Sequence, residues 1–138
     1  QNEGYLNCYQ EYFCGNGFID IFIHNRNREN PFAIIIENKI YAGDQKDQLK
    51  RYYTFARSHL NLSDDKILLA YLTINGRFQD SEYSIDQETR RKLQNKNRLI
   101  QLSYRYDIPE ILSSALPAVK AQRTKEIIYQ YTSILQKL

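Results

Sequence analysis

Three ionisable side chains stand inside what otherwise reads as an apolar sheet. Asp20 lies between Ile19 and Ile21, and Glu37 and Lys39 close the run Ala33-Ile34-Ile35-Ile36. An unpaired charge is costly to desolvate, so strand interiors seldom carry one. Strand side chains alternate faces with a period of two, which puts Glu37 and Lys39 on the same face. The polar stretch 25–32 contains a proline and reads as a hairpin loop, and the midpoint of positions 20 and 37, at 28.5, falls inside it. A symmetric hairpin therefore brings Asp20 close to opposite Glu37, with Cβ atoms roughly 5 Å apart. Two carboxylates at that spacing can share one cation. Mg²⁺ is commonly held by one or two carboxylates together with waters and substrate phosphate. Such an ion polarises a phosphodiester and lowers the pKa of a bound water, while Lys39 orients that water or steadies the developing negative charge. The same residues also permit a plain ion pair of Lys39 with Glu37 or Asp20, which needs no cation.

The surrounding elements must hold these groups in place. The tyrosine-rich segment 5–14 predicts a strand ending at the turn Gly15-Asn16-Gly17, and 18–24 predicts a second strand. Residues 33–40 are β-branched and apolar enough for a central strand. Asp44 then offers an N-cap for a helix running to about His59, in which Leu49, Tyr52, Ala56 and Leu60 recur at helical spacing. A fourth strand is expected over 66–74, a polar helical insertion started by Ser84 over 79–98, and a fifth strand over 99–106. The remainder is helical with a break near Pro117, and Ile127, Tyr131, Ile134 and Leu138 form a stripe expected to pack on the sheet. The order of elements predicts one mixed α/β domain over 1–138.

Composition narrows the class without fixing the chemistry. The 138 residues are 42% hydrophobic and 25% charged, which excludes disordered and fibrous chains. A net charge of +3 is too mild to argue for a nucleic-acid partner by itself. No apolar run reaches the roughly 20 residues of a membrane span. Cys8 and Cys14 lie on one predicted strand, about 20 Å apart at roughly 3.3 Å per residue, too far for a mutual disulfide. His24 and His59 are isolated, so a zinc site is not expected and a cytoplasmic location is. The sequence has no methionine, at position 1 or elsewhere, so we expect a segment upstream to be missing.

Two further motifs join the three charges. Gln48 and Tyr52 follow on the predicted helix as Gln-x-x-x-Tyr, and "LSYRYDIPEIL" leads from a Ser-Tyr strand end into an Asp-Ile helix start. Taken with Ile19-Asp20 and Glu37-Asn38-Lys39, this pattern resembles the PD-(D/E)XK nuclease superfamily, with Ile19 where proline often stands. "IENKIYAGDQKDQLKRYYTF" is similar to a bacterial branch of it. The resemblance covers residues 17–60 well and 99–135 loosely. It implies a restriction-endonuclease-like sheet of about five strands flanked by helices, and a nuclease dependent on Mg²⁺ or Mn²⁺. By resemblance the ligands are Asp20, Glu37 and the backbone carbonyl of Asn38, with Asp20, Glu37, Lys39 and Gln48 as catalytic residues.

The partner implied is nucleic acid, with DNA favoured over RNA. Tyr52, Lys46, Lys50 and Arg51 are candidate contacts, and Arg26, Arg28, the 90–98 cluster, Tyr41 and Tyr53 are further ones. The family also implies a helix before the first core strand that supplies an acidic residue. None can be read here, and Glu11, the nearby substitute, reads as a surface residue. The alternative is therefore a catalytically silent nuclease-like module that binds nucleic acid or a partner protein.

Overall fold

In the computed structural model, residues 6–41, 43–77 and 81–138 are described, the side chains of 81 and 82 excepted. Five strands form one sheet in the order β1-β2-β3-β4-β5: Leu6–Phe13, Phe18–Asn25, Phe32–Lys39, Ile67–Thr73 and Leu99–Ser103. The first three are an antiparallel meander, and β4 and β5 add in parallel. Parallel neighbours need long crossovers. α1 (Gln48–Thr54) lies in the first crossover, and α2 (Ser81–Ser84) and α3 (Gln87–Asn95) lie in the second. α4 (Asp107–Ala115) and α5 (Gln122–Leu135) complete the chain. Residue 5 of the first expected strand and residues 79 and 80 of the expected insertion lie outside the described residues.

The main core lies on one face of this mixed sheet. Phe22, Ala33, Ile35, Ile67, Leu69, Tyr71 and Leu99 pack there against Leu49 and Tyr52 of α1, Ala56 of the turn that follows it, and Ile85 and Leu93 around α3. Burying one such side chain stabilises the fold by about 1.5–3 kcal/mol, so this layer fixes α1 over β3. Ala70 and Leu72 of β4 are also buried, on the other face. Glu37 and Lys39 continue the buried row of Ala33 and Ile35, and therefore point toward α1.

Several expected boundaries move, each for a local reason. α1 starts at Gln48 and not beside Asp44, whose carboxylate accepts the Tyr71 hydroxyl at 2.6 Å. Ser84 does not start the insertion helix. Asp86 caps α3 by accepting the Thr89 amide at 3.0 Å, while the Ser84 hydroxyl accepts the Leu49 amide at 3.1 Å. The helix after β3 also changes character at Phe55–His59, where the Leu60 amide bonds the carbonyl of Phe55, five residues back, in a π-helical turn. β5 stops at Ser103, because its hydroxyl accepts the amides of Arg105 and Tyr106 and turns the chain into α4.

α5 contradicts the expected stripe. Ile127 and Ile134 are 57% and 58% exposed, with Tyr131 and Leu138 also exposed, so this face does not pack on the sheet. The inward face is formed by Lys125, Ile128, Thr132 and Leu135, and the helix it contacts is α4.

Candidate active site

Asp20, Glu37 and Lys39 converge at the end of the β2–β3 ladder. Ile21 pairs with Ile36 there, so the hairpin is symmetric about position 28.5 and its register carries Asp20 opposite Glu37. Beyond that pair the regular alternation fails. Ile19 and Phe22 are three residues apart, yet both enter the main core. Tyr9 and Tyr12 of β1, also three apart, both contact the Phe22 ring, with centroids at 6.0 and 4.7 Å. The break falls where the register faces Glu11 with Asp20, and Glu11 has a left-handed φ of 48°. That conformation costs a side-chain-bearing residue about 1–2 kcal/mol. Asp20 here bends toward the next strand, and its Oδ2 accepts the backbone amide of Asn38 at 2.7 Å.

These residues border a cavity of about 360 Å³. β3 contributes Glu37, Asn38 and Lys39; β2 contributes Phe18 and Asp20; α1 contributes Gln48, Arg51 and Tyr52; Gly17 and Gln45 complete the rim. Lys39 Nζ is 2.9 Å from Glu37 Oε1, and both side chains are almost fully buried. Gln48 Nε2 donates to the Tyr52 hydroxyl at 3.0 Å, and that hydroxyl donates to the Phe18 carbonyl. Burial pushes the Glu37 carboxyl above the ordinary carboxylate range; the Lys39 hydrogen bond opposes the shift, and the Asp20 charge adds to it. Burial and the Glu37 charge likewise hold the Tyr52 phenol protonated.

What the cavity leaves unmet is as informative. Glu37 Oε2, Asn38 Oδ1 and Gln48 Oε1 are buried acceptors with no hydrogen-bond partner. Buried acceptors are normally satisfied, and each orphan costs about 1–3 kcal/mol. The Asn38 side chain alternates to the other face of β3, but Glu37 and Gln48 border the cavity together with Asp20, and hard oxygens of this kind suit a small divalent cation. Among the described residues there is no group of three or more His, Cys, Asp or Glu that could hold a metal ion. The donors at hand are two carboxylates with a neutral amide oxygen, a set of hard ligands that fits Mg²⁺ or Mn²⁺.

The other expected contacts separate. Tyr52 is 1% exposed, so it forms the floor of the site and has no surface to offer nucleic acid. Lys46 is exposed off the cavity, and its carbonyl accepts the Arg51 guanidinium. Lys50 pairs with Asp86 at 3.3 Å. Arg26 and Arg28 lie in the hairpin loop, at the opposite end of the ladder from Asp20. Tyr53 donates to Asp64 at 2.7 Å, and Lys92 and Lys96 are drawn to the same carboxylate. Gln45 and the Phe18 backbone escaped the sequence-based reading. The spacing of three that links Gln45, Gln48 and Arg51 is the signal that could have found Gln45.

No helix of the described residues is long and apolar enough to cross a membrane. No curated protein and no solved structure matches this chain significantly. A family model does, over residues 2–133. With the expected five-stranded mixed sheet and flanking helices present, the chain belongs to the PD-(D/E)XK nuclease superfamily and has its restriction-endonuclease-like fold.

Proposed function

We propose that this domain is a metal-dependent nuclease that hydrolyses phosphodiester bonds, with DNA as its substrate. The observation that carries the reading is that Asp20, the buried Glu37–Lys39 pair and Gln48 border one cavity, with Glu37 Oε2 and Gln48 Oε1 left without partners. Asp20 and Glu37 would hold Mg²⁺ or Mn²⁺, with the backbone carbonyl of Asn38 as a third ligand. When bound, the ion polarises the phosphodiester and acidifies water.

The chain's own residues do the rest. The Asn38 amide fixes one oxygen of Asp20 and leaves the other for a ligand. Lys39 spends one N–H on Glu37 and has two left, enough to orient the attacking water and to donate to a phosphoryl oxygen as its negative charge grows. Tyr52 holds the Gln48 side chain through its Nε2, which leaves the Gln48 carbonyl oxygen without a protein partner. The packing of α1 keeps bulk water from the Glu37–Lys39 pair, which strengthens that interaction.

Calorimetric titration with Mg²⁺ and Mn²⁺, followed by cleavage assays on labelled DNA and RNA, tests the proposal. Binding in the parent that Glu37→Ala abolishes, together with cleavage of DNA, is expected. Metal-independent retention of nucleic acid without cleavage under either ion would establish the silent binding module instead.

A further inference from the structure

A second cavity of about 360 Å³ adjoins the first. Asp47, Lys50, Arg51 and Thr54 line it along one side of α1, followed by Phe55, Ser58 and His59 of the π-helical turn, and Cys14 and Asn16 face them. Arg51 borders both cavities. The hairpin turn joins them as well, since Asn16 lies in one and Gly17 in the other.

We propose that this groove receives a nucleotide flanking the scissile phosphate, with its phosphate on Arg51 and its base against Phe55 and His59. The inference rests on the nuclease reading of the neighbouring cavity and deepens it. Arg51 is half-buried and forms no ion pair with a carboxylate among the described residues. One of its terminal nitrogens donates to the Lys46 carbonyl, while its Nε is buried with no partner. A guanidinium in that state lacks an anion, and a phosphate supplies one with matching fork geometry. Its position between the cavities is where the backbone of a strand threaded through both would pass.

The π-helical end of that side of the groove supplies the second half of the recognition. The rings of Phe55 and His59 stack at 5.3 Å with an interplanar angle of 19°. The π-helical turn sets these residues side by side, and such turns concentrate at functional sites. Base stacking on an aromatic surface contributes about 1–3 kcal/mol and tolerates any base. The volume lies within the range of small-ligand sites. Asp47 is the groove's one carboxylate, and Lys50 and Arg51 outnumber it.

The test is titration of 2′-deoxyadenosine 5′-monophosphate in EDTA, followed by NMR, on the parent, Glu37→Ala, Arg51→Ala and Thr54→Trp. Thr54 is exposed, so an indole there fills the groove without entering the core. Shifts at Asn16, Ser58 and His59 are expected in the parent and equally in Glu37→Ala, with affinity reduced at least tenfold in both other variants. Shifts confined to the Asp20–Glu37 cavity, or none at all, overturn the proposal. Oligonucleotide cleavage keeps the two readings apart. Nucleotide bound in the groove by a protein that cuts nothing rejects the nuclease alone. Cleavage lost in Glu37→Ala but with unchanged KM in Thr54→Trp rejects the groove alone.

Discussion

Glu37 and Asp64 are both buried carboxylates, and their surroundings are opposites. Asp64 receives Lys92 at 2.7 Å, Lys96 at 3.3 Å, Arg57 at 3.4 Å and the Tyr53 hydroxyl at 2.7 Å. Burial raises its pKa, but the hydrogen bonds from Lys92, Tyr53 and Lys96 outweigh it and hold the carboxyl far below the usual range. Glu37 has Lys39 as its one ion-pair partner among the described residues, with the Tyr52 hydroxyl beside it, a second carboxylate nearby, an orphaned oxygen and a raised pKa. The protein completes one acid from its own side chains and leaves the other short of positive charge. That shortage, and not burial, separates the proposed cation site from a structural clamp.

Five experiments probe the contrast and the site it concerns. The largest effect expected is on catalysis: Glu37→Ala reduces DNA cleavage in Mg²⁺ by about 10³-fold, while Asp64→Asn, assayed well below its melting temperature, stays within about twofold of the parent. Equal losses in gel-based cleavage assays would erase the distinction. Next, Asp64→Asn lowers unfolding stability by about 2 kcal/mol in urea titrations at neutral pH, since it removes hydrogen bonds to a charged group. The pH dependence has a definite sign. A depressed folded pKa stabilises above the unfolded value near 4 and is lost as pH falls below it. The parent should therefore lose more stability than Asp64→Asn between pH 5 and pH 2, and parallel curves would show that Arg57, Lys92, Lys96 and Tyr53 do not act through this carboxylate.

Smaller effects concern the unfinished site. Mg²⁺ at ten times its dissociation constant adds about 1.4 kcal/mol, or about 5 °C in melting temperature for a chain of this size. Asp20→Asn should abolish that shift and Asp64→Asn should keep it; a shift that survives in Asp20→Asn would place the ion elsewhere. The smallest change expected is a gain. Glu11→Gly relieves the left-handed conformation and stabilises by up to about 1 kcal/mol, offset in part by the entropy of glycine in a strand. A loss above 1 kcal/mol in chemical denaturation would mean that the Glu11 side chain itself supports the kink beside Asp20.

The site was more legible than its framework. Strand periodicity put Glu37 and Lys39 on one face, and hairpin symmetry put Asp20 opposite, because both are set by residues close in sequence. Asp44 misled because its partner, Tyr71, stands 27 residues away across the sheet. α5 misled differently. Its stripe through Ile127 is apolar, but helix–helix contact with α4 selected the neighbouring stripe, where Leu135 is the buried anchor. Arg51 was legible as a cation, yet its place between two cavities depends on the turn at Gly17 and on the register of α1, neither of which sequence spacing fixes.

The bond from the Leu49 amide to Ser84, with its companion from the Asp47 amide to the Tyr83 carbonyl, makes the stretch before α3 part of the start of α1. Shortening the β4–β5 connection would therefore be no peripheral edit. It would unfasten the first turn of the helix that carries Gln48 and Arg51, and anything that grips this connection from outside holds a handle on the floor of the candidate site.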